Sequence, residues 1–372
     1  MDSCKYEALV LLLSIALLLP FKTVVCSSSC TFPAIFNFGD SNSDTGGLSA
    51  AFGQAPPPNG ETFFGAPAAE SLRLNRLHAF LDSVGSNFSH GANFATAGST
   101  IRPQNTTISQ SGYSPISLDV QSVQFSDFKR RSQEFKQSES IFQNLLPKED
   151  DFSGALYTFD IGQNDLTAGY KLNMSTEQVK AYVPDLVAQF SNAIKNVYAR
   201  GGRAFWIHNT GPAGCLPYVM DRFLVPAAQI DKFGCATPFN EVAKYFNLRL
   251  KQAVIKLRKE LPSAAITYVD VYSVKYSLIT RATKLGFENP FLACCGHGGK
   301  YNYNRSIKCG SKKIVKGKEI VIAKSCKDPS ARVSWDGTHF TEAANKWVFN
   351  EILNGSFSDP PLPLHLACNR ME

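Results

Sequence analysis

The sequence has only one long hydrophobic run, which lies near the amino terminus, and it lacks the patterns of several protein classes. A protein that crosses a membrane several times needs several such runs, so this class is excluded. The spacings CxxC and HxxxH, which are typical of zinc sites, do not occur. No block of Lys and Arg is longer than Lys129-Arg130-Arg131, so we expect the net charge of +7 to be mild and spread out. A nucleic-acid-binding protein usually concentrates its positive charge in a patch, and we therefore expect no nucleic-acid partner.

The composition is that of an ordinary globular protein, with 44% hydrophobic and 19% charged residues in a chain of 372. No internal repeat and no linker divides the chain after residue 27. The sequence therefore predicts a single domain over residues 28–372, which is long enough to bury a large core.

Residues 1–27 have the pattern of a signal peptide. Lys5 precedes an unbroken apolar stretch over residues 8–19, Pro20 interrupts it, and small residues follow around Cys26. The stretch is shorter than the roughly 20 residues that span a bilayer. We expect cleavage near Cys26, a secreted protein of the extracellular space or cell wall, and no integral membrane segment afterwards.

Two further features are typical of secreted chains. Five Asn-X-Ser/Thr sequons predict glycosylation, at Asn87, Asn105, Asn173, Asn304 and Asn354. Eight cysteines follow residue 27, and an even number in an oxidising compartment indicates disulfides. Their connectivity stays open, but the group from Cys294 to Cys326 is expected to staple one Gly- and Lys-rich loop region.

Short apolar runs alternate with stretches of helical spacing. The runs, at residues 34–38, 92–95, 155–159, 204–207 and 265–271, predict strands. Helices are expected over 184–200, where Pro184 suits the first turn and Gly201-Gly202 the end, over 240–261 and over 341–353. Strands that alternate with helices imply an α/β fold with a mostly parallel sheet covered on both faces. In such sheets ligands bind beyond the carboxyl ends of the strands.

A small polar turn follows the first predicted strand, in the order Phe38-Gly39-Asp40-Ser41. A serine at this place can present its hydroxyl to a ligand with free backbone N–H groups beside it, so Ser41 is a candidate nucleophile. Gly-Asp-Ser is also common turn chemistry, and that alternative stays open. Position 43 is Ser, so the turn is not a G-x-S-x-G elbow.

Two other strand-end segments carry candidate residues. Asn164 follows the third strand in Gly162-Gln163-Asn164-Asp165, and its amide could donate to an oxyanion or simply form a turn. Asp336 and His339 lie three residues apart in one loop before a helix. The carboxylate could hold Nδ1–H of the imidazole and leave Nε2 free as a base, although Asp336 could equally cap a helix or an Asx turn. His90, His208 and His297 are interpreted as structural.

Together these segments resemble a known family. Phe38-Gly39-Asp40-Ser41, Gly91-Ala92-Asn93-Phe94-Ala95, Gly162-Gln163-Asn164-Asp165 and Asp336-Gly337-Thr338-His339 match, in order, the four signature blocks of plant secreted GDSL esterase/lipases, the SGNH hydrolases. The resemblance runs from about residue 32 to 368. Within the family, the sequence resembles the early-nodulin-like branch in particular.

The resemblance implies a flavodoxin-like three-layer SGNH-hydrolase fold with a central parallel sheet of about five strands. It implies that Ser41 is the nucleophile, that His339 is the general base and acid, and that Asp336 orients it. The implied oxyanion hole combines the Ser41 N–H, the N–H of Gly98 (with Gly91 as the alternative) and the Asn164 side chain. This chemistry requires no metal or organic cofactor.

Two departures from the family pattern stand out. Asn follows Ser41 where Leu is usual in the wider family. The Gly-Arg-X-X-Asp-Gly-Arg segment and the start of a helix that relatives carry are also missing near residues 66–70, where Gly65 and Ala66 run directly toward Glu70. We expect this loss to expose apolar sheet surface and to loosen the loop beside Ser41.

Three functions follow from these residues. The first is a secreted serine esterase or lipase that hydrolyses carboxylic esters, either small molecules or esters linked to a polysaccharide. The second, motivated by the lost segment, is a catalytically silent secreted glycoprotein with a binding or defence role. The third is a glycosidase with Asp40 and Asp44 as paired carboxylates, which the intact Ser/His/Asp set disfavours.

Overall fold

The structure is a computed structural model that describes residues 29–53, 57–60, 72, 74, 77–82, 84–106, 111–137 and 141–370. Residues 1–27, where the signal peptide is predicted, and residues 66–70, where a segment is expected to be lost, lie outside the described residues. Among the described residues, no helix has the length and apolar character that a membrane crossing requires.

A six-stranded sheet forms the centre of the fold, with the strand order β2-β1-β3-β4-β5-β8. Its parallel strands are β1 (Ile35–Gly39), β2 (Gly91–Asn93), β3 (Leu156–Asp160), β4 (Ala204–His208) and β5 (Ala265–Val269). The two-residue strand β8 (Ser358–Asp359) pairs antiparallel with β5. The parallel strands thus follow the flavodoxin-like order 2-1-3-4-5, and the predicted fold class is confirmed, with a short antiparallel strand added at one edge.

Helices cover both faces of this sheet. In the described residues they are α1 (Gly47–Phe52), α2 (Leu118–Gln137), α3 (Glu149–Gly154), α4 (Gln163–Lys171), α5 (Thr176–Ala199), α6 (Pro217–Arg222), α7 (Thr237–Glu260), α8 (Val271–Thr280) and α9 (Glu342–Leu353). Short 3₁₀ helices occur at Ile141–Leu145, Ala213–Cys215, Ala227–Gln229, Ala282–Leu285, Pro329–Ala331 and Leu364–Leu366.

Alternation along the strands sends side chains to two different cores. Phe36 and Phe38 of β1 point toward α2, α5 and α7, where they pack in a cluster rich in aromatic rings. Ile35 of the same strand points to the opposite face, which packs with Trp206 of β4 against α8 and α9. Because both faces are covered, the strands are apolar at most positions, as is usual in a parallel sheet.

The longest helices begin earlier than their apolar spacing predicts. α5 begins at Thr176, so Pro184 lies inside the helix, and the expectation that Pro184 occupies its first turn is wrong. The reason is the capping box at Ser175, whose hydroxyl accepts from the Gln178 N–H while the Gln178 side chain accepts from Ser175 N–H. The end of the helix is as predicted, since Gly201 adopts a φ of 102° directly after it.

Four disulfides tie the described part of the chain. Cys30 joins Cys368 and so links the two ends of the domain, and Cys215 joins Cys235. Cys294–Cys326 and Cys295–Cys309 confirm that the dense cysteine group staples a single loop region. That region carries an antiparallel hairpin of β6 (Lys312–Val315) and β7 (Lys318–Val321), separate from the central sheet.

Candidate active site

The turn that carries Ser41 follows directly from the end of β1. Gly39 accepts a bond from Nε2 of Gln121 on its carbonyl (2.8 Å), and its N–H donates to Oε1 of the same side chain (2.9 Å). A Cβ at Gly39 would lie only 2.6 Å from the Asp160 carbonyl oxygen of β3, so glycine is required for this close approach. Gln121, fully buried on α2, therefore fixes the strand end from which Ser41 projects.

Asp44 joins this turn to the loop after β2. One oxygen accepts from the N–H groups of Gly46 and Gly47, and the other accepts from Leu48 N–H and from Ala97 N–H at 2.8 Å. Four donors on one carboxylate fill most of its acceptor sites. Asp44 therefore caps α1 and holds the segment beside Gly98 against the Ser41 turn, which leaves it no role as a glycosidase carboxylate.

Asn93, at the end of β2, supports the same turn from below. Its Nδ2 donates to the Ser43 carbonyl (2.6 Å) and to the Thr45 hydroxyl (2.9 Å), while Oδ1 accepts from Asn37 Nδ2 (2.7 Å). Asn37 in turn accepts from the Thr158 hydroxyl at 2.6 Å. These buried polar groups are mutually satisfied, and such a network fixes a single arrangement of the turn.

Asp336 and His339 form a direct pair in the loop before α9. Nδ1 of His339 lies 2.7 Å from Oδ2 of Asp336, and Oδ1 accepts from the backbone N–H groups of Thr338 and His339. An ionised carboxylate can only accept, so Nδ1 carries the proton and Nε2 is left with a free lone pair. The two alternative roles considered for Asp336 thus coincide, because an Asx turn places its carboxylate beside the imidazole.

Burial and charge act against each other on this pair. Burial would raise the pKa of Asp336, but the charge and hydrogen bond of His339 outweigh it, and the pKa lies below its usual value. Burial would lower the pKa of His339, but Asp336 outweighs it, and the pKa lies above 6.5. Each group therefore stabilises the charged form of its partner, which is the electrostatic requirement for a base that must take up a proton.

The loop that carries the pair is itself held tightly. Ser334 and Phe340 form an isolated antiparallel bridge, and the Trp335 N–H donates to the His339 carbonyl at 2.8 Å. Gly337 has a φ of 91°, and a Cβ there would meet the Tyr303 ring at 2.5 Å. These contacts fix the backbone of the loop that carries the imidazole. The positive φ and the close Tyr303 ring explain why glycine stands between Asp336 and His339.

Asp40, the residue before Ser41, is almost fully buried. Burial, with a contribution from the nearby charge of Asp160, raises its pKa from 3.8 to about 7. Its Oδ1 accepts from the Asn42 N–H (3.0 Å) and from Asn42 Nδ2 (2.8 Å). The charge of Asp40 also contributes to the raised pKa of His339, so the first and last signature blocks are electrostatically coupled.

A cavity of about 610 Å³ lies at the carboxyl ends of β1, β3 and β4, beside the position where the strand order reverses. Ser41, Asp336 and His339 all line it, so residues nearly three hundred positions apart share one cavity. Its volume is within the range of small-molecule sites. Among the described residues, no hydrogen bond joins the Ser41 hydroxyl to His339. Catalytic hydrogen bonds of this kind often tighten only when a substrate is bound.

The cavity continues from the polar rim toward an apolar interior between the sheet and α9. Its floor includes Ile35 and Trp206, and its side walls are apolar residues of the two flanking helices. Those wall residues are Val271, Val348, Phe349 and Ile352. Ile35 and Trp206 are almost completely buried, at 3% and 2% exposure, so these apolar sheet residues line the interior of the cavity and are not exposed at the surface as we expected.

The backbone N–H groups predicted as oxyanion donors differ in whether they already make hydrogen bonds. The Ser41 and Gly98 N–H groups are not used in hydrogen bonds among the described residues, and Ala97 beside Gly98 lines the cavity. The Gly91 N–H donates to the Phe88 carbonyl at the other end of β2, so the alternative glycine is engaged elsewhere. A φ of 83° allows Gly98 to form the turn that leaves its N–H free.

Asn164 lies near this group but is not part of the cavity lining. Its Nδ2 donates to the Ser99 carbonyl at 2.8 Å and, at 3.4 Å, to Asp40 Oδ2. Asp165, the next residue, accepts from the Ile101 N–H at 2.9 Å. In this structure Asn164 therefore holds the 99–101 segment near Asp40, and its amide must turn from these partners to reach a bound substrate.

Sequence reasoning missed several residues at the cavity. His208 lies with Nδ1 3.5 Å from Asp160 Oδ2 and belongs to the cavity lining, although we interpreted it as structural. His208 Nε2 and Trp206 Nε1 are buried without a hydrogen-bond partner among the described residues. Lys275 of α8 also lines the cavity, and with His208 it lowers the pKa of Asp160 despite burial. The position of His208 at the end of β4 was the available signal.

The predicted glycosylation sites lie at the surface. Asn87, Asn105, Asn173 and Asn354 are exposed, and Asn304 is partly exposed.

Comparison with known proteins defines the class of this chain. A family model described as GDSL-like lipase/acylhydrolase matches residues 35–352, a range that includes all the parallel strands and the loop of Asp336 and His339. The chain is therefore a carboxylic ester hydrolase by class, built on the α/β fold described above.

Individual relatives are similar over almost their whole length. A GDSL esterase/lipase of Arabidopsis thaliana is 66% identical over 358 residues, which cover 93% of this chain and 94% of the relative. A protein of the same plant named alpha-L-fucosidase 3 is 59% identical over 372 residues, covering 96% and 98%. The GDSL esterase/lipase ENOD8 of Medicago truncatula is 50% identical over 360 residues, covering 93% and 92%. The chain belongs to the GDSL-like lipase/acylhydrolase family, and the predicted resemblance is confirmed.

Proposed function

We propose that the chain is a secreted serine esterase or lipase that hydrolyses carboxylic esters through Ser41, His339 and Asp336. The observation that carries this proposal is the 2.7 Å contact of Asp336 with His339 at the rim of a cavity that Ser41 also lines. A serine, a base and an orienting carboxylate are the groups that acyl transfer needs.

The reaction follows from the chemistry of these groups. His339 Nε2 takes the proton of the Ser41 hydroxyl as Oγ attacks the ester carbonyl carbon, and a tetrahedral oxyanion forms. The imidazolium then gives its proton to the alcohol oxygen, the C–O bond breaks, and an acyl group remains on Ser41. A water molecule, deprotonated by His339, attacks this acyl-enzyme, and the acid leaves as Ser41 regains its proton. Asp336 stays ionised throughout, in agreement with its lowered pKa.

The oxyanion of this mechanism accepts hydrogen bonds from the N–H groups of Ser41 and Gly98. Both groups are free of described partners, which supports these roles over that of Gly91. Asn164 is the third donor, and it reaches the oxyanion after exchanging its weaker contact with Asp40, at 3.4 Å, for the substrate. Donors aimed in advance at the developing charge are often the largest single contribution to such catalysis.

The cavity indicates how the substrate is accommodated. Its apolar interior between the sheet and α9 suits the acyl part of an ester, whereas the polar rim near His339 suits the alcohol part. The lining includes Ile35, which lies four residues before the end of β1, about 13 Å along the strand at 3.3 Å per residue. Esters of medium-length acyl chains therefore fit better than acetyl esters, with a small molecule or a polysaccharide as the alcohol.

Secretion and glycosylation belong to the same proposal. Residues 1–27 have the pattern of a signal peptide, and the cysteines of the described chain are all paired in disulfides. The exposed sequons, such as Asn87 and Asn354, suit a chain that passes through the secretory pathway. We place the protein in the extracellular space or cell wall.

A glycosidase is the rival that the name of one relative raises, since a protein called alpha-L-fucosidase 3 is 59% identical. Such enzymes generally need two free carboxyl groups on either side of the bond that they cleave. Asp44 accepts four N–H donors and Asp40 is almost fully buried, so neither suits this role. The ester hydrolase remains the function that the site supports best.

A silent glycoprotein is the other alternative, and the lost segment near residues 66–70 remains its motivation.

The test compares Ser41→Ala with wild-type protein on p-nitrophenyl acetate, butyrate and octanoate, with p-nitrophenyl α-L-fucoside as the control substrate. We expect wild-type turnover of the esters, faster for butyrate and octanoate, and at least a roughly 10³-fold loss in Ser41→Ala with an unchanged melting temperature. Ser43→Ala is the matched control. Among the described residues that hydroxyl makes a single hydrogen bond, accepted from Asn37 (3.0 Å), so the variant should keep activity within about ten-fold. The proposal would be contradicted if the wild-type protein cleaved the fucoside, or if it cleaved none of the esters.

A further inference from the structure

The hairpin of β6 and β7, with its flanking residues 308–327, is a strongly positive part of the chain. We refer to residues 308–327 as the lysine hairpin. This segment contains seven lysines and a single acid, Glu319, so it carries a net +6 of the +7 of the whole chain. The expectation that the positive charge is spread out is therefore wrong, because these lysines, of which no more than two are consecutive in the sequence, gather on one folded unit.

Most of this charge is not neutralised. Lys312 pairs with Glu319 at 2.8 Å. No ion pair within the described part of the chain involves the other six lysines. The positive potential of the lysine hairpin is therefore available to an external anionic partner.

One face of the hairpin combines this charge with exposed apolar side chains. Residues directly opposite each other in an antiparallel pair share a face, and here Lys313 lies opposite Ile320 and Val315 opposite Lys318. Ile320 is 44% exposed and Val315 is 40% exposed, so neither is covered by an element of the described residues. We call these four residues the basic apolar face. The opposite face carries Ile314 and the Lys312–Glu319 ion pair.

The simplest alternative is that the lysines only prevent edge-to-edge aggregation, a common use of lysine on unpaired strands. That role needs charge but no large exposed aliphatic side chains, and it does not explain Val315 and Ile320. A soluble polyanion such as an acidic polysaccharide likewise needs lysines alone. Two exposed aliphatic side chains between lysines, on a face without acid, are instead the pattern of a surface that binds an anionic lipid headgroup region.

We propose that the basic apolar face docks on the surface of an anionic phospholipid bilayer, with Val315 and Ile320 entering the headgroup boundary and Lys313 and Lys318 contacting phosphates. Binding of this kind increases with the apolar area that enters the boundary and with attraction to anionic lipid. The hairpin turn of Lys316 and Gly317, with φ values of 50° and 74°, keeps the two strands in a fixed register.

The base of the hairpin connects this surface to the candidate active site. Cys294–Cys326 and Cys295–Cys309 anchor it, and the N–H groups of Cys294 and Cys295 donate to the carbonyls of Ser334 and Trp335. Trp335 directly precedes Asp336, so the hairpin and the loop of the Asp–His pair belong to one cross-linked unit. Docking would therefore keep the cavity close to a membrane that supplies lipid esters, a consequence that depends on the proposed function although the docking itself does not.

The test measures cosedimentation of the full-length secreted protein with vesicles of phosphatidylcholine and of mixed phosphatidylcholine and phosphatidylglycerol. We expect binding to the mixed vesicles only, and weaker binding as salt rises, because exposed charges are screened over about 8–10 Å. Lys313→Gln with Lys318→Gln should weaken it roughly thirty-fold, about five-fold for each lysine. Val315→Ser with Ile320→Ser should weaken it at least about ten-fold.

Matched controls distinguish an effect of the basic apolar face from an effect of total charge or of any exposed aliphatic side chain. Lys284→Gln with Lys346→Gln removes the same charge from other exposed sites and should leave binding unchanged. Ile314→Ser removes an aliphatic side chain that is 74% exposed on the opposite face, and it should also have no effect. All variants should keep wild-type turnover of p-nitrophenyl butyrate, which shows that they fold and separates failed docking from a failed esterase assignment.

Several results would overturn the proposal. One is equal loss of vesicle binding in Ile314→Ser, which would show insertion of the hairpin tip rather than docking of the face. Another is binding to soluble polygalacturonate that survives Val315→Ser with Ile320→Ser, together with no vesicle binding, which would identify a polysaccharide partner. A dimer in analytical ultracentrifugation that the same double variant abolishes, again without vesicle binding, would identify a second copy of the chain as the partner.

Discussion

The side chain of Gln121 gives the most direct test of how the Ser41 turn is held. Gln121→Leu removes a bond from Gly39 N–H at 2.9 Å and a bond to the Gly39 carbonyl at 2.8 Å, while it keeps about the same shape. The carbonyl retains the Thr96 N–H at 3.3 Å, but the Gly39 N–H loses its partner inside the core. A buried donor without a partner costs about 1–3 kcal/mol and the lost carbonyl bond about 1 more, so we expect a loss of about 3 kcal/mol in the free energy of unfolding.

Activity should fall with stability in this variant. A displacement of the serine by about 1 Å can cost about 10²-fold, so we expect a decrease of this order in kcat for p-nitrophenyl butyrate with little change in KM. Gln124→Leu, one turn of α2 away, is the matched control, because Gln124 Oε1 is buried without a described hydrogen-bond partner. It should be neutral within about 0.5 kcal/mol. Urea unfolding followed by tryptophan fluorescence measures the free energy of unfolding of both variants. The reasoning fails if the two variants are equally stable or equally active.

Three further predictions concern the polar groups of the site, Asp336, Asn164 and Asp40. In Asp336→Asn the pKa of His339, raised above 6.5 in the wild type, should fall, so the acidic limb of the kcat/KM profile should move to lower pH while kcat drops by about 10⁴-fold; an unmoved limb would contradict this pairing. Asn164→Ala should lower kcat for p-nitrophenyl butyrate by about 10²–10³-fold and leave the melting temperature within a few degrees, whereas a loss under about ten-fold would exclude it as an oxyanion donor. Burial, with the charge of Asp160, raises the pKa of Asp40 from 3.8 to about 7, so its stabilising contribution is present below pH 3.8 and is lost as pH rises toward 7. Melting curves of Asp40→Asn should therefore gain on the wild type between pH 4 and pH 8, and a gain in the opposite direction would show that Asp40 is ionised in the fold.

Strand positions were predictable because both faces of the sheet are covered. All five apolar runs became parallel strands, each within two residues of the predicted bounds, since a strand buried on both sides is mostly apolar. Helix beginnings were less predictable, as α5 shows. Its first turn is exposed and polar, so apolar spacing does not report it, and the capping box at Ser175 is the signal that marks the true start.

For the site, the sequence indicated the groups that carry out chemistry but not the groups that hold them. Asp336 and His339 are three residues apart, so their contact is a local property of one loop. The bonds of Gln121 to Gly39 span 82 residues, and those of Asp44 to Ala97 span 53. Nothing local marks such residues, because their partners are backbone groups that any sequence provides.

The charge of the molecule shows the same limit. A search for consecutive Lys and Arg passes over the lysine hairpin, since no more than two of its lysines are consecutive. A two-residue turn and two disulfides bring them together in space. The gathering of these lysines in space therefore becomes visible only once the strand pairs and disulfides are known.

Labelling with a fluorophosphonate probe, followed by peptide mapping, tests the central claim most directly, because the probe reacts only with a serine that a base activates. We predict a single adduct on Ser41 in the folded wild-type protein, no adduct in Ser41→Ala, and strongly slowed labelling in His339→Gln. A wild-type protein that hydrolyses esters while Ser41 stays unlabelled, or one that is labelled at another serine, would contradict the assignment of Ser41 as the nucleophile.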